Sequence, residues 1–180
     1  MFSFLYSADF SSLLAISSVG FKVNVDATTN ISEGCFGVGV VIRNSMGLII
    51  FAAAFFYPMI FRVEVFEAKT ILVGILCAGK KCLKPFCVES DALSVVQLCY
   101  GVDVSRAEID LIVQDISVFK ARYGTSFIGY MHRSCNIVVH SLAKRAVICK
   151  VFSCWEAPFP AWLSKLVAVD SVFYSFSGGS

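Results

Sequence analysis

Charged side chains are scarce in this sequence. They account for 16% of its 180 residues, whereas hydrophobic residues account for 57%. This composition excludes a disordered tail, because disordered segments combine low hydrophobicity with high charge. It fits a single domain that is long enough to bury a sizeable core. The net charge of +2 does not by itself indicate a nucleic-acid partner, so such a partner has to be inferred from a site.

The sequence also lacks the paired cysteines of a structural zinc site. Its eight cysteines occur singly, no C-x-x-C pair is present, and only His132 and His140 could join them as ligands. Most of the cysteines lie in apolar periodic stretches, where a free thiol behaves as a small hydrophobic group. We therefore expect no zinc and a reduced, intracellular compartment, either the cytoplasm or the nucleus.

Two apolar stretches are candidates for membrane elements, and neither has all the features of one. Residues 1–20 contain Asp9 and lack the basic region that opens a signal peptide, so we describe them as an apolar leader of undefined structure. Residues 44–61 carry no charge, but Gly47 and Pro58 divide them, which favours a buried strand over a membrane span. We therefore predict no contact with a membrane.

The first part of the domain has the pattern of three strands. Residues 21–26 alternate between apolar and polar, residues 37–43 form a second apolar run, and residues 48–56 form a third. A turn-rich segment, ATTNISEG, separates the first two runs, and the short sequence NSMG separates the last two. Strands joined this closely form a hairpin, so this part of the sheet is predicted to be antiparallel.

Helices and strands alternate after that point. The periodicity predicts, in order, helix 63–78, strand 86–89, helices 92–100 and 106–122, strand 125–131 and helix 135–149. Strands separated by helices lie parallel to the first strand. We therefore predict an α/β fold with a mixed sheet of five strands, the first three antiparallel, and helices on both faces. The domain is expected to span residues 21–150, and a tail at 151–180 to pack on it and fray at its end.

Three acidic residues occupy unusual places in this pattern. Asp26 ends the first predicted strand, Glu67 lies beside the apolar stripe of the first helix, and Asp91 follows the fourth strand. If the first and fourth strands are parallel neighbours, the three carboxylates converge, and they repel one another unless a cation neutralises them. Hard oxygen ligands select Mg²⁺ or Mn²⁺. The alternative is that the two aspartates are caps or turn formers and that Glu67 is half exposed.

Five segments, in order and at similar spacing, resemble a known family. They are KVNVDA, GVGVVIRNSMG, FEAKTILVGILCA, VESDALSVV and IGYMHRSCNIVVHSLAKRA. Together they resemble the ribonuclease H-like domain of plants, in the reverse-transcriptase-like family related to retroelement ribonuclease H. The resemblance covers roughly residues 21–170 and implies the three-layer ribonuclease H-like fold.

The resemblance also implies an activity. It makes Asp26, Glu67 and Asp91 catalytic acids that hold two Mg²⁺ (or Mn²⁺) ions, which cut the RNA strand of an RNA–DNA hybrid. The partner is then a hybrid or another duplex resembling double-stranded RNA, read through its backbone and 2′-hydroxyls. We expect the chain to act as a monomer.

One position departs from the family pattern. The fourth catalytic acid of active relatives corresponds here to His140, and imidazole is a poorer partner than carboxylate for Mg²⁺. The resemblance therefore leaves a second possibility, a weakened or inactive module of the same fold, derived from a retroelement, that binds nucleic acid or protein. A third interpretation of His140 is a helix residue that packs against the sheet.

Four further residues are candidates for contacts with nucleic acid. Arg133 and Asn136 lie between the last strand and the last helix, where a guanidinium and a helix N-terminus suit phosphate. Asn136 could equally be a helix cap. Ser90 and Thr28 accompany Asp91 and Asp26 in the sequence and are included for that reason.

Overall fold

The computed structural model describes residues 20–59, 61–101 and 107–176. Almost all of the predicted leader and the end of the tail therefore lie outside the described residues. The elements are β1 (Phe21–Asn30), β2 (Cys35–Asn44), β3 (Ile49–Tyr57), α1 (Val63–Lys80), β4 (Phe86–Ser90), α2 (Leu93–Leu98), α3 (Ala107–Tyr123), β5 (Thr125–Tyr130), α4 (Ile137–Cys149), β6 (Ser153–Glu156) and α5 (Ala161–Phe176). A 3-10 turn at Arg133–Cys135 precedes α4.

The strands form one mixed sheet in the order β5-β4-β1-β2-β3-β6. The pairs β1–β2 and β2–β3 are antiparallel, and β4 lies parallel to both β1 and β5. These findings confirm the mixed α/β sheet with three antiparallel strands at the start. The predicted strand count is wrong by one, because β6 adds to β3 in antiparallel fashion. Its four residues alternate only weakly, and their pairing depends on a distant strand.

The first predicted strand is longer in the structure. It extends through Thr28 and Thr29 to Asn30, and these residues pair with the start of β2. The predicted turn-rich loop therefore contracts to four residues, 31–34. Two consecutive β-branched threonines favour a strand and explain the difference. As a result Asp26 lies in the middle of β1 rather than at its end.

Helices cover both faces of the sheet. On one face α1 packs on β1, with α3 beside it, over a core that includes Val23, Val25 and Ile71. On the other face α4 packs on β2, and a second core joins it to β3 and α5. Because side chains alternate along a strand, the polar residues of β1 face the side of α4. Within the described residues, no helix is both long and apolar enough to cross a membrane.

Two glycines of β2 bring α4 close to the sheet. A Cβ atom added to Gly39 would lie 2.1 Å from the carbonyl oxygen of Val139, and one added to Gly37 would lie 2.3 Å from that of Ala143. The backbone of α4 therefore rests directly on the backbone of β2. Gly39 is also the cross-strand partner of Asp26, so this contact holds α4 next to the acidic residue of β1.

Candidate active site

Strand pairing brings two of the three predicted acids together. In the parallel register of β1 and β4, Val25 is opposite Ser90. The next residue in each segment is an aspartate, so Asp26 and Asp91 lie side by side at this end of the strand pair. Asp26 is 2% exposed, and Asp91 lies at the turn that leads into α2. The structure therefore meets the condition that the first and fourth strands are parallel neighbours.

Glu67, near the start of α1, is the third acid of this neighbourhood. The pKa of its carboxyl group is raised to about 8, mainly by burial and also by the charges of Asp91 and Asp26, while the charge of Arg133 opposes the rise. The Oε2 atom of Glu67 is buried and has no hydrogen-bond partner. The structure therefore shows a carboxyl group that is close to two other carboxylates and has one oxygen without a hydrogen-bond partner.

Asp26 already has partners for both of its oxygens. Its Oδ1 accepts a hydrogen bond of 2.8 Å from the backbone N–H of Ala27, and its Oδ2 lies 2.7 Å from Nδ1 of His140. Burial and the charge of Asp91 raise the pKa of Asp26, while His140 and the N–H of Ala27 oppose the rise. His140 is thus in direct contact with the acidic cluster, and it is more than a helix residue that packs against the sheet.

The carboxylate oxygens of Asp26, Glu67 and Asp91 are suitable ligands for a hard divalent cation, although the three side chains are not close enough together to coordinate one ion. Across residues 20–59, 61–101 and 107–176, no three side chains of His, Cys, Asp or Glu lie close enough to hold one ion. However, a cation near Glu67 would supply the partner that its buried oxygen lacks and would offset the repulsion that raises its pKa. A metal site formed by Asp26, Glu67 and Asp91 remains a prediction.

Arg133 lies at the mouth of this cluster. Its Nε is 3.9 Å from Oδ2 of Asp91, and its side chain is 64% exposed. The preceding residue, His132, caps the 3-10 turn, since its Nδ1 accepts from the N–H of Ser134. A guanidinium that is loosely paired and open to solvent retains its capacity to contact a phosphate.

The structure does not support direct contacts of Ser90 and Asn136 with nucleic acid. Ser90 is 0% exposed and its Oγ accepts from the N–H of Ala92. Asn136 is 1% exposed, and its Nδ2 donates to the carbonyl oxygen of Val25 at 2.9 Å. Both side chains are used internally: Ser90 orients the turn that carries Asp91, and Asn136 ties the start of α4 to β1. Asn136 also makes no side-chain cap.

Thr28 lies two residues beyond Asp26 and is half buried. Its hydroxyl oxygen has no hydrogen-bond partner. The predicted contact of Thr28 with nucleic acid remains a prediction.

A buried polar network beside the site was not predicted. Lys22 and Glu89 form an ion pair of 2.8 Å in which both side chains are 5% exposed. Asn24 donates to the second oxygen of Glu89 at 3.0 Å and accepts from Nε of Arg43 at 3.2 Å. The sequence feature that pointed to this network is the set of polar residues that alternate with valines in KVNVD. This alternation indicates that the polar residues share one face of β1, but it does not indicate whether that face is solvated.

Solved structures with a similar fold are ribonuclease H domains. One is the N-terminal RNase H domain of rv2228c from Mycobacterium tuberculosis: 17% identity, 73% of this chain and 95% of that chain covered, TM-score 0.63. A second is RNase H1 from the archaeon Halobacterium salinarum, with 15% identity, 72% and 98% coverage and a TM-score of 0.63. A third is LC11-RNase H1, which was isolated from compost by a metagenomic approach and solved in complex with an RNA/DNA hybrid. It has 16% identity, 72% and 98% coverage and a TM-score of 0.63.

At such low identity, these likenesses show that the chain has a ribonuclease H-like fold. The sequence itself matches the model of the reverse transcriptase-like family over residues 24–146. Since this match spans more than half of the sequence, the chain belongs to the reverse transcriptase-like family. A search of curated proteins found no significant match.

Proposed function

We propose that the protein is a metal-dependent endonuclease that binds RNA–DNA hybrids and cleaves their RNA strand. The observation that carries the proposal is the state of Glu67. Its pKa is raised to about 8 in the company of Asp91 and Asp26, and one of its oxygens is buried without a partner. Clustered carboxylates of this kind are stabilised by a divalent cation, and perturbed acids in a cluster are typical of catalytic sites.

Each residue has a distinct role in this proposal. Asp26, Glu67 and Asp91 would hold two Mg²⁺ or Mn²⁺ ions. When bound, such ions activate a water molecule and stabilise the leaving oxygen of a phosphodiester. Arg133 would orient the backbone by contacting a phosphate with its exposed guanidinium. The ribonuclease H-like fold, which LC11-RNase H1 uses to bind a hybrid, supports a duplex with RNA-like geometry as the partner.

A second function, a binding module without catalytic activity, is favoured by one contact. His140 occupies Oδ2 of Asp26 at 2.7 Å, and so competes with a cation for that oxygen. Such a module would retain affinity for the duplex and lack cleavage. The two functions therefore differ in chemistry and agree on the partner.

Cleavage of a labelled hybrid separates the two functions. The RNA strand is labelled and incubated with the protein in Mg²⁺, in Mn²⁺ and in EDTA, while binding is measured in parallel by fluorescence anisotropy. We expect cleavage that requires a divalent cation and that is lost in Asp26→Asn. Asp115→Asn, which makes the same change at an exposed position of α3, is the matched control and should cleave normally.

The other outcomes are equally informative. Binding without cleavage in either metal, with cleavage appearing only in His140→Asp, would identify the chain as a module. Absence of binding to the hybrid would contradict both the nuclease and a module that binds nucleic acid.

A further inference from the structure

A groove lies along α4, beyond the acidic cluster. It lies between the end of β1, with the turn that follows, and the second half of α4, and it has a volume of about 390 Å³. Thr28 follows Asp26 by two residues, so both lie on the same face of β1. Lys144 follows His140 by four residues, so both lie on the same side of α4. The groove is therefore adjacent to the cluster on both of its walls.

The groove has one charge. Lys144 is exposed and is the only charged residue among those that line it, and within the described residues it has no ion-pair partner. The nearest turn also carries Glu33, but that carboxylate is paired with Lys150 at 2.6 Å. The groove consequently presents an uncompensated positive charge, which suits an anionic group.

The remaining lining suits a sugar–phosphate unit better than an apolar ligand. Thr28 contributes a hydroxyl whose oxygen is buried and has no partner, so a rotation about the Cα–Cβ bond that turned it toward the groove would break no hydrogen bond. Ile31 and Ile148, 81% and 78% exposed, form an apolar rim. A cation, a free hydroxyl and a small apolar rim match the phosphate, the ribose oxygens and the sugar carbons of one nucleotide.

We propose that this groove binds a backbone phosphate of the nucleic-acid strand that the acidic cluster engages, next to the phosphate at the cluster, with Lys144 as its cation and Thr28 as its hydroxyl donor. The inference rests on the proposed function, because it places the groove on the path of the same strand. It assigns to Lys144 the role of a positioning residue for the strand, in addition to the carboxylates.

Salt dependence of binding tests the role of Lys144. Affinity for a labelled RNA–DNA hybrid is measured in EDTA at several salt concentrations, for wild type, Lys144→Ala and Lys80→Ala. A lysine that neutralises one phosphate contributes about 1 to the slope of log K against log salt. We expect this loss in Lys144→Ala only. Lys80 is the matched control: it is exposed and lies 13 residues beyond Glu67 on α1, or about 20 Å along that helix.

Replacing single phosphates by uncharged groups identifies which phosphate of the strand Lys144 contacts. Hybrids in which a single phosphate is replaced by an uncharged methylphosphonate are compared between wild type and Lys144→Ala. We expect one position at which the replacement weakens binding to wild type severalfold and has no further effect on Lys144→Ala. If the replacement weakens binding to wild type and to Lys144→Ala equally at every position, the proposal is overturned.

Thr28→Val separates binding from stability. Since the buried hydroxyl oxygen has no partner, its removal should leave the urea midpoint unchanged or raise it, while binding to the hybrid weakens severalfold. A variant that binds as wild type does would remove Thr28 from the proposal.

The outcomes distinguish this proposal from the proposed function. If wild type binds the hybrid and the two lysine variants have equal slopes, the groove is not a phosphate site and the proposed function stands. If wild type does not bind the hybrid, the proposed function fails and the groove proposal fails with it.

Discussion

Replacing Glu67 by glutamine should stabilise the protein in a manner that depends on pH. The carboxyl pKa is raised from its ordinary value of 4.5 to about 8, first by burial and then by Asp91 and Asp26. A folded-state pKa above the unfolded value means that the folded protein holds this proton more tightly. The contribution of protonated Glu67 to the free energy of unfolding is fully present below pH 4.5. It is lost progressively as the pH rises, until the loss is complete above about pH 8.

The magnitude follows from the two pKa values. Each pH unit between them is worth about 1.4 kcal/mol, so wild-type Glu67 reduces the free energy of unfolding by about 3 kcal/mol at pH 7 and about 5 kcal/mol above pH 8. Glutamine has no charge at any pH and avoids this loss. The difference between Glu67→Gln and wild type should therefore grow by several kcal/mol from pH 4.5 to pH 8.

Urea unfolding in EDTA at pH 4.5, 6, 7 and 8.5 measures this difference. Glu108→Gln, at an exposed position of α3, makes the same substitution outside the cluster and should not reproduce the pH dependence. Adding Mn²⁺ at pH 7 should stabilise wild type and have less effect on Glu67→Gln, because the variant lacks a ligand. A difference that stays constant across the pH range would refute the reasoning, since the carboxyl pKa of Glu67 would then not be raised in the folded protein.

Further substitutions test the contact of His140 with Asp26 and the buried ion pair beside the cluster. His140→Asp replaces the imidazole beside Asp26 with a carboxylate, so we expect this variant to bind Mn²⁺ about tenfold more tightly than wild type, or better, in calorimetric titration. Asp26→Asn should abolish Mn²⁺ binding. Identical isotherms for wild type and His140→Asp would show that His140 does not compete with the ion. Lys22→Met leaves Glu89 buried without its cation, so it should lower the free energy of unfolding, measured in urea, by about 3–5 kcal/mol. The double variant that also carries Glu89→Leu should recover much of this loss. A small effect of Lys22→Met alone would mean that the ion pair is solvated.

The order of the elements could be predicted from periodicity, because apolar residues recur every second residue in strands such as 21–26 and at helical spacing in 63–78. The parallel orientation of β1 and β4 followed from the helices between successive strands, and their adjacency, a condition from which the convergence of Asp26 and Asp91 was inferred, is found in the structure. These features depend on local pattern and on general rules of chain connection. They therefore required no knowledge of the packed structure.

The parts that could not be predicted depend on tertiary contacts. The four residues of β6 become a strand only because the outer edge of β3 accepts them. Asn136 has a side chain that suits either a surface contact or an internal hydrogen bond, and only the packing of α4 on β1 decides in favour of the second. The contact between His140 and Asp26 similarly requires the close approach of α4 at Gly39.

The position of β6 affects how fragments of this protein should be prepared. β6 pairs with residues 51–54 of β3, and Trp155 and Trp162 contact each other beside the second core. A polypeptide that stopped at Lys150 would leave the amide groups of that edge without partners and uncover apolar surface, and such edges recruit other copies of a chain. Soluble material for the experiments above should therefore retain the segment through α5.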